Sequence, residues 1–226
     1  AAAQAAPASA DAAQKAPLSA DAAQKAPVSA DAALNALFDR YDQATLARSP
    51  EAKAYRGVRD GDYGKWSDPS DAKADADLKQ DMAFLAEMRR DFAKAPLSPD
   101  ARLSYRLFEK QMERRAAAAR YRDLGLIFDQ MNGAQSQLPA FLVNIHRVSN
   151  VAEAEAYVAR LQGLGPLIDQ LSAIAQTRAE AGAAAPAWVY PHVVNDARAL
   201  LKGAPFEAGP DSSLLADFRG KVTVIF

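Results

Sequence analysis

The side chains that most often carry out chemistry in proteins are scarce in this chain, which has two histidines and no cysteine among its 226 residues. His146 falls on a predicted helix, and His192 lies 46 residues later, near the start of another. A zinc site needs three or four ligands placed around the ion, and no spacing here brings them together. We therefore expect no catalytic residue, metal ligand or cofactor within this chain.

Aromatic residues add candidates for binding rather than for catalysis. Trp66 lies with Tyr63 in a glycine-rich loop, whereas Tyr190 and His192 open a helix after a flexible linker. Aromatic side chains in such places either pin a loop to the body of the protein or line a cleft. Pinning is the default interpretation of the aromatic residues. For the two histidines, the default is a hydrogen bond at a helix surface or interface. The candidates for lining a substrate surface or binding a partner are Trp66, His146, Arg147, Tyr190 and His192.

Charged residues almost balance, with 27 basic and 28 acidic side chains and a net charge of -1. This balance gives no general attraction to nucleic acid, so no nucleic-acid partner is expected. Carboxylates at helix starts, such as Asp71 and Glu153, are interpreted as solvated groups that suit the helix dipole. A local basic cluster surrounds a run of alanines: Arg114, Arg115, Arg120 and Arg122. A solvated, partly ion-paired face is its default interpretation, and binding of an acidic partner or a substrate carboxylate is the alternative.

Helical spacing of apolar residues over most of the chain predicts an all-α fold of seven to eight mostly antiparallel helices. Ser49-Pro50 and Ser98-Pro99 each pair an N-cap residue with proline at the first helical position. Residues 57–69, with three glycines, predict a loop, and the helix is expected to restart at Asp68-Pro69. The first apolar stripe is Leu34, Leu37, Phe38 and Tyr41.

Predicted buried faces follow from the same spacing in the helices that come next. The helix after Ser98 is expected to bury Leu103, Leu107, Phe108 and Met112. Between residues 121 and 137 the periodicity fails, yet Leu126, Ile127 and Phe128 are expected to be buried.

Two further helices are predicted with less regular patterns. Residues 138–148 form one, with Pro139 near its start. The next begins at Asn150, which resembles the first residue of a capping box, and is expected to kink or break at residues 163–166. Its predicted buried stripe is Val151, Ala154, Val158 and Leu161.

The first 28 residues repeat with a period of ten, as in Ala6–Lys15 and Ala16–Lys25. Each unit has a proline, a serine and a short alanine-rich stretch without large apolar side chains. Isolated helices below about 12 residues are marginal, so we predict a disordered Ala/Pro-rich tail over residues 1–28 and a helical domain over residues 29–226. A spacer that holds this domain away from a membrane anchor or a partner is the functional alternative.

Membrane insertion through a helix is not predicted, because no apolar run approaches the roughly 20 residues needed to cross a bilayer. The chain begins with Ala1 rather than Met and has no basic stretch followed by an apolar core. We interpret this start as the result of leader removal or trimming.

Four segments together resemble a known bacterial family: Asp62–Ser70, Leu103–Phe108, Ile145–Tyr157 and Pro210–Phe218. Their order is similar to that in the family of bacterial proteins of unknown function numbered 885. The resemblance covers about residues 29–222, but only the N-terminal part of a typical member. It implies a mostly helical, exported and often lipid-anchored protein that looks like a zinc metallopeptidase of the His-Glu-x-x-His clan.

The resemblance also implies where the chemistry of such a protein would lie. The family's metal-binding helix belongs to its later portion, so zinc is expected only in a missing C-terminal part, and no residue here inherits a catalytic role. The helical domain is then expected to be incomplete and inactive alone, located in the periplasm or cell envelope. Its expected partners are the missing portion of the same protein, a peptide substrate, and further copies of itself through an exposed apolar face.

Two other functions remain open at the level of sequence. One is a stand-alone helical protein-binding module of the cell envelope, and the other is a surface amphipathic protein that binds lipid. Balanced charge and the scarcity of basic and aromatic residues on one helix face count against lipid binding.

Overall fold

The computed structural model describes residues 29–223 and residue 225. In this part of the chain the fold is all-α, as predicted, and an isolated bridge between Ala204 and Asp211 is its only β-type pairing. The predicted disordered tail over residues 1–28 lies outside the described residues. The helices are α1 (Ala30–Ala47), α2 (Pro50–Tyr55), α3 (Asp71–Phe92), α4 (Pro99–Ala119), α5 (Ala134–Asn144), α6 (Val151–Glu180), α7 (Val189–Ala199) and α8 (Ser213–Val222).

Serine side chains start each of the first four helices. In every case the serine Oγ accepts a hydrogen bond from the backbone N–H three residues later, which satisfies one of the free donors of the first turn. Ser70 caps α3, so this helix begins at Asp71 rather than at the predicted Asp68-Pro69. Asp68 instead accepts a hydrogen bond from the Ser70 N–H and turns the chain toward the helix.

The N-terminal bundle packs α1, α3 and α4 around one hydrophobic core. Its buried side chains are Leu34, Leu37, Leu85, Met88, Phe92, Tyr105, Phe108 and Met112. The predicted face of α4 was partly wrong, because Leu103 and Leu107 are 48% and 62% exposed. Phe108 and Met112 share a face with Tyr105, which lies at i−3 and i−7 from them, and this phase turns the two leucines outward.

The stretch between α4 and α6 departs from its prediction in two ways. Leu126 is exposed rather than buried, whereas Ile127 and Phe128 are partly buried. α5 begins at Ala134 and ends at Asn144, earlier than the predicted residues 138–148. Pro139 therefore lies inside the helix, and His146 follows the helix instead of lying on it.

Helix α6 is continuous over 30 residues with Pro166 inside it, so of the predicted kink or break at residues 163–166 the break was wrong. A helix of this length spans about 45 Å. The predicted stripe was partly wrong, since Val151 and Val158 are exposed, whereas Ala154 and Leu161 pack against the core. The buried residues of α6 are Glu153, Tyr157, Arg160, Leu167 and Leu171.

Helices α5 and α8 complete the second half of the fold around α6. Leu142, Val148 and Tyr157 form a buried cluster, against which Leu214 and Phe218 of α8 pack. The Lys221 ammonium donates hydrogen bonds to the carbonyls of Leu142 and Val143, and so satisfies the free acceptors at the end of α5. No helix in the described part of the chain is long and apolar enough to cross a membrane.

Candidate functional site

A fully buried arginine lies at the centre of the second half of the fold. The Arg160 guanidinium carbon lies 4.6 Å from the ring centroid of Phe141, 5.2 Å from that of Trp66 and 5.4 Å from that of Tyr63. Such distances are typical of attraction between a cation and an aromatic face. Arg160, these three aromatic residues and His146 are called the Arg160 cluster below.

Hydrogen bonds connect Arg160 to three separate parts of the chain. Its Nε donates to the Lys65 carbonyl at 3.1 Å, and its Nη2 points to the Pro50 carbonyl at 3.5 Å. In return, Trp66 Nε1 donates to the Arg160 carbonyl at 2.9 Å. Burial lowers the pKa of Arg160 by disfavouring its charged form. Among the described residues, no carboxylate is hydrogen-bonded to this side chain. Arg160 thus fastens the loop over residues 57–69 and the start of α2 to α6.

His146 contacts Arg160 and is itself fully buried. Its Nε2 lies 3.1 Å from the Glu153 carbonyl, which can only accept, and its Nδ1 lies 3.4 Å from Arg160 Nη1, which can only donate. The two neighbours therefore assign the neutral tautomer with the proton on Nε2. Burial, together with the Arg160 charge, lowers the pKa of His146 from 6.5 to about 4. A neutral imidazole with both nitrogens engaged serves here as a fixed link between α6 and the segment after α5.

Two glycines let the aromatic loop approach α6 closely. A Cβ placed on Gly163 would lie 3.1 Å from Trp66 Cδ1, and one placed on Gly64 would lie 3.2 Å from the Ala156 backbone. Both distances are tighter than ordinary van der Waals contact, so a methyl group at either position would require its neighbours to shift by a few tenths of an ångström.

Ion pairs hold the outer edge of the cluster. Arg59 Nη1 donates to both carboxylate oxygens of Glu153 at 2.9 Å, and the Ser149 N–H donates to Glu153 Oε2 at 2.7 Å. Burial alone would raise the pKa of Glu153, but these hydrogen bonds outweigh it and lower the pKa. The carboxylate that was predicted to be solvated is therefore mostly buried and paired.

Lys53 fixes the other end of the same loop. Its ammonium lies 2.5 Å from Asp62 Oδ2 and 2.9 Å from Asp60 Oδ2. Hydrogen bonds from Lys53 and then Lys65 lower the pKa of Asp62 to about 2. The loop is thus bound on both sides by charges that the surrounding elements supply.

An apolar groove of about 550 Å³ is open on the surface between α5, α6 and α7. Its apolar lining includes Leu138, Pro139, Leu164, Ile168, Val193 and Leu200. Asp169 and Ser172 are the exposed polar residues on its edge. This surface is called the α5–α7 groove below. Its shape and chemistry suit an apolar side of another polypeptide segment rather than a charged small molecule.

Metal binding has no support in the described part of the chain. No group of three or more histidine, aspartate or glutamate side chains there is arranged to hold a metal ion.

Comparison with known proteins places this chain in a family. The family model described as bacterial protein of unknown function (DUF885) matches residues 50–223. The chain belongs to the DUF885 family. Searches of curated proteins and of solved structures found no match.

Two of the four segments that carried the DUF885 resemblance meet at Arg160, and a third contacts one of them through Tyr157. Trp66 belongs to the first segment and His146 to the third, and both contact Arg160. Tyr157, also of the third, donates a hydrogen bond to Asp217 of the fourth at 2.9 Å. The remaining segment, Leu103–Phe108, lies in the N-terminal bundle.

The five predicted binding residues separate into two places in this DUF885 chain. Trp66 and His146 lie in the Arg160 cluster, and the backbone of Arg147 exchanges hydrogen bonds with the Tyr63 hydroxyl at 2.7 and 3.0 Å. The Arg147 side chain is exposed and lines a shallow cleft of about 510 Å³ with Arg59 and Lys221. Tyr190 and His192 are exposed on α7 and make no hydrogen bond with this cluster among the described residues.

Sequence reasoning missed the central residue, Arg160. A signal was available, because Arg160 lies at i+3 from Tyr157 and at i−7 from Leu167, in phase with the buried face of α6. A charged residue in phase with aromatic and apolar ones predicts a buried cation that needs acceptors and rings. Which acceptors and rings surround Arg160 depends on residues up to 110 positions away in the sequence, and no local pattern contains this information.

Proposed function

We propose that this chain is the non-catalytic, substrate-side helical part of an exported, zinc-metallopeptidase-like protein. Membership of the DUF885 family supports the proposal in general terms. The α5–α7 groove is the observation that carries it, because a wide apolar surface of this kind has a cost in water unless polypeptide covers it. The proposed occupant is a helical segment from the remainder of the same protein, which would hold the metal site.

The chemistry of the groove favours an amphipathic helix as that occupant. Leucine, isoleucine, valine and proline side chains from three helices form its floor and walls, with one exposed carboxylate, Asp169, at the edge. α7 also exposes Tyr190 and Val194, which extend the apolar surface along this helix. Helix-in-groove contacts use apolar anchors on one side and polar residues on the other.

The predicted binding residues take two roles in this proposal. Arg147, Tyr190 and His192 are exposed and are proposed to contact the peptide substrate or the remainder of the protein. Trp66 and His146 act behind them, holding the loop and the segment after α5 in place.

The experiment compares an α5–α7 groove variant with a matched surface variant. The protein with only residues 1–226 should self-associate as its concentration rises, as measured by light scattering, because copies cover each other's grooves. Ile168→Glu places a charge in the groove and should reduce this association strongly. Leu124→Glu makes a similar change on an exposed leucine between α4 and α5 and should leave it unchanged.

A second arm tests the occupant and the absence of catalysis in this chain. Polypeptide encoded after codon 226 should form a complex with the chain that Ile168→Glu prevents, and peptide hydrolysis that chelator abolishes should need this added polypeptide. Chelator-sensitive hydrolysis by the purified chain alone would overturn the proposal. A monodisperse monomer unaffected by either variant would favour the stand-alone binding module instead.

A further inference from the structure

Helix α4 turns two leucines and three cations toward solvent. Tyr105, Phe108 and Met112 fill the core of the N-terminal bundle, which leaves Leu103 and Leu107 on the opposite side of the helix. Arg106, Lys110 and Arg114 are exposed on this side as well. The α4 face is defined as Leu103, Arg106, Leu107, Lys110 and Arg114.

Two acidic side chains of α4 share one cation of α3. Glu109 and Glu113 each lie 2.7 Å from a nitrogen of Arg89 on α3, so their charges are drawn toward the interface between α3 and α4. Buried Asp81 on α3 likewise attracts Arg115, whose Nε lies 3.1 Å from it. Arg89 and Arg115 therefore partly offset these carboxylates on the inner side of α4.

Cations on the α4 face are in contrast largely uncompensated. Lys110 approaches Glu113 at 3.2 Å, but Arg106 and Arg114 form no ion pair with any residue in the described part of the chain. A shallow groove of about 590 Å³ runs along the face beside Leu107, Gln111 and Ala118. The net charge of the whole chain is only -1. This local excess of positive charge therefore comes from the distribution of charged residues over the bundle.

We propose that the α4 face is a docking surface for an acidic amphipathic helix of a protein partner. Leu103 and Leu107 stand at i and i+4 and form a ridge that an apolar stripe of the partner helix can pack against. Carboxylates on the edges of that stripe would meet Arg106, Lys110 and Arg114, and guanidinium groups pair well with carboxylates. An anionic membrane fits less well, because the face has no aromatic side chain and only two large apolar residues to insert.

The test uses a synthetic helical peptide of the same length as α4, with leucines at i and i+4 and glutamates on both flanks. A second peptide keeps the leucines and has glutamine in place of each glutamate. Fluorescence anisotropy should show that the glutamate peptide binds about tenfold more tightly, because three exposed ion pairs together contribute about that factor. Added salt should remove most of this difference.

Matched variants separate the α4 face from the general charge of the protein. The triple change Arg106→Gln, Lys110→Gln and Arg114→Gln should weaken binding of the glutamate peptide about tenfold. Lys79→Gln, Lys94→Gln and Lys202→Gln remove the same charge from exposed sites elsewhere and should leave binding unchanged. Circular dichroism of both proteins confirms that these surface changes preserve the fold.

Three results would overturn this proposal. The first result is equal binding of the two peptides. The second is an equal loss of affinity in the two triple variants. The third result is binding to phosphatidylserine vesicles in a flotation assay without binding to the peptide, because this outcome assigns the face to a membrane.

Discussion

Arg160 illustrates how a single buried cation can organise distant parts of a chain. Removing a guanidinium from water is costly, and Arg160 offsets this cost with carbonyl acceptors, the His146 ring nitrogen and three aromatic faces. The planar, five-donor group reaches the Lys65 and Pro50 carbonyls in different directions at once. The residue therefore specifies where the loop and α2 lie as much as it contributes stability.

Arg160→Lys should destabilise the protein more than Arg160→Met. Lysine keeps the buried charge but loses the fork that reaches several acceptors, so the free energy of unfolding should fall by about 3 kcal/mol. Methionine fills much of the volume without a charge and should cost only about 1–2 kcal/mol, mainly through the unpaired Lys65 carbonyl. Urea unfolding of both variants measures the difference. Equal losses, or a more stable lysine variant, would contradict this account of Arg160.

His146 should make the protein less stable in mild acid. Its pKa is about 4 in the folded protein and 6.5 in the unfolded chain, so only the unfolded chain takes up the proton as the pH falls through this window. The free energy of unfolding is therefore highest above pH 6.5 and should fall by about 3 kcal/mol between there and about pH 4. Urea unfolding across this range measures the slope.

A matched variant assigns that slope to His146. His146→Gln keeps an N–H that can reach the Glu153 carbonyl but cannot titrate, so it should flatten the dependence above about pH 4.5. Carboxylates such as Glu153, whose pKa is lowered from 4.5, still contribute at lower pH in both proteins. An unchanged slope in the variant between pH 6.5 and 4.5 would show that another group titrates there.

Helix α6 is the element on which the second half of the fold depends. Asn150 begins it, with Oδ1 accepting from the Glu153 N–H at 3.0 Å. The Glu153 carboxylate reaches back to the Ser149 N–H rather than to that of Asn150, so this start differs from an ordinary capping box by one residue. The same first turn presents Glu153 to Arg59 and its carbonyl to His146, so the cap also positions the edge of the Arg160 cluster.

Asn150→Ala should lower the free energy of unfolding by about 1 kcal/mol, the usual cost of losing an N-cap side chain. Ser212→Ala is the matched control, because Ser212 precedes α8 without a side-chain capping hydrogen bond. Thermal unfolding followed by circular dichroism compares the two variants. A loss for Ser212→Ala as large as that for Asn150→Ala would contradict the assigned capping role.

Helix starts and buried faces differ in how well the sequence predicts them. Ser49-Pro50 and Ser98-Pro99 mark real starts, because capping involves atoms only three residues apart. The faces of α4 and α6 were partly misassigned, because the orientation of a helix is decided by which side chains its neighbours cover. On α6 the neighbours cover Tyr157 and Arg160 and leave Val158 exposed.

At the scale of the whole molecule, polar contacts join two hydrophobic regions. One core lies among α1, α3 and α4, and the other lies where α5 and α8 pack around α6. Arg178 of α6 lies 3.9 Å from Asp71 of α3, and it also donates to the Gly125 carbonyl at 3.0 Å. Apolar surface remains open at the α5–α7 groove, while positive charge is concentrated on the α4 face. The two proposed docking surfaces therefore differ in chemistry and in the helices that form them.

The sequence alone determined the all-α class, the starts of α2, α4 and α6 and the DUF885 family of this protein, because these depend on local capping, helical periodicity and the order of short segments. Only the tertiary structure decided that Arg160 is buried, that His146 is neutral and follows α5, and that Leu103 and Leu107 face solvent. The physical reason is distance along the chain. Burial, protonation and exposure depend on groups such as the Pro50 carbonyl and Arg160, which are 110 residues apart and meet only when the chain has folded.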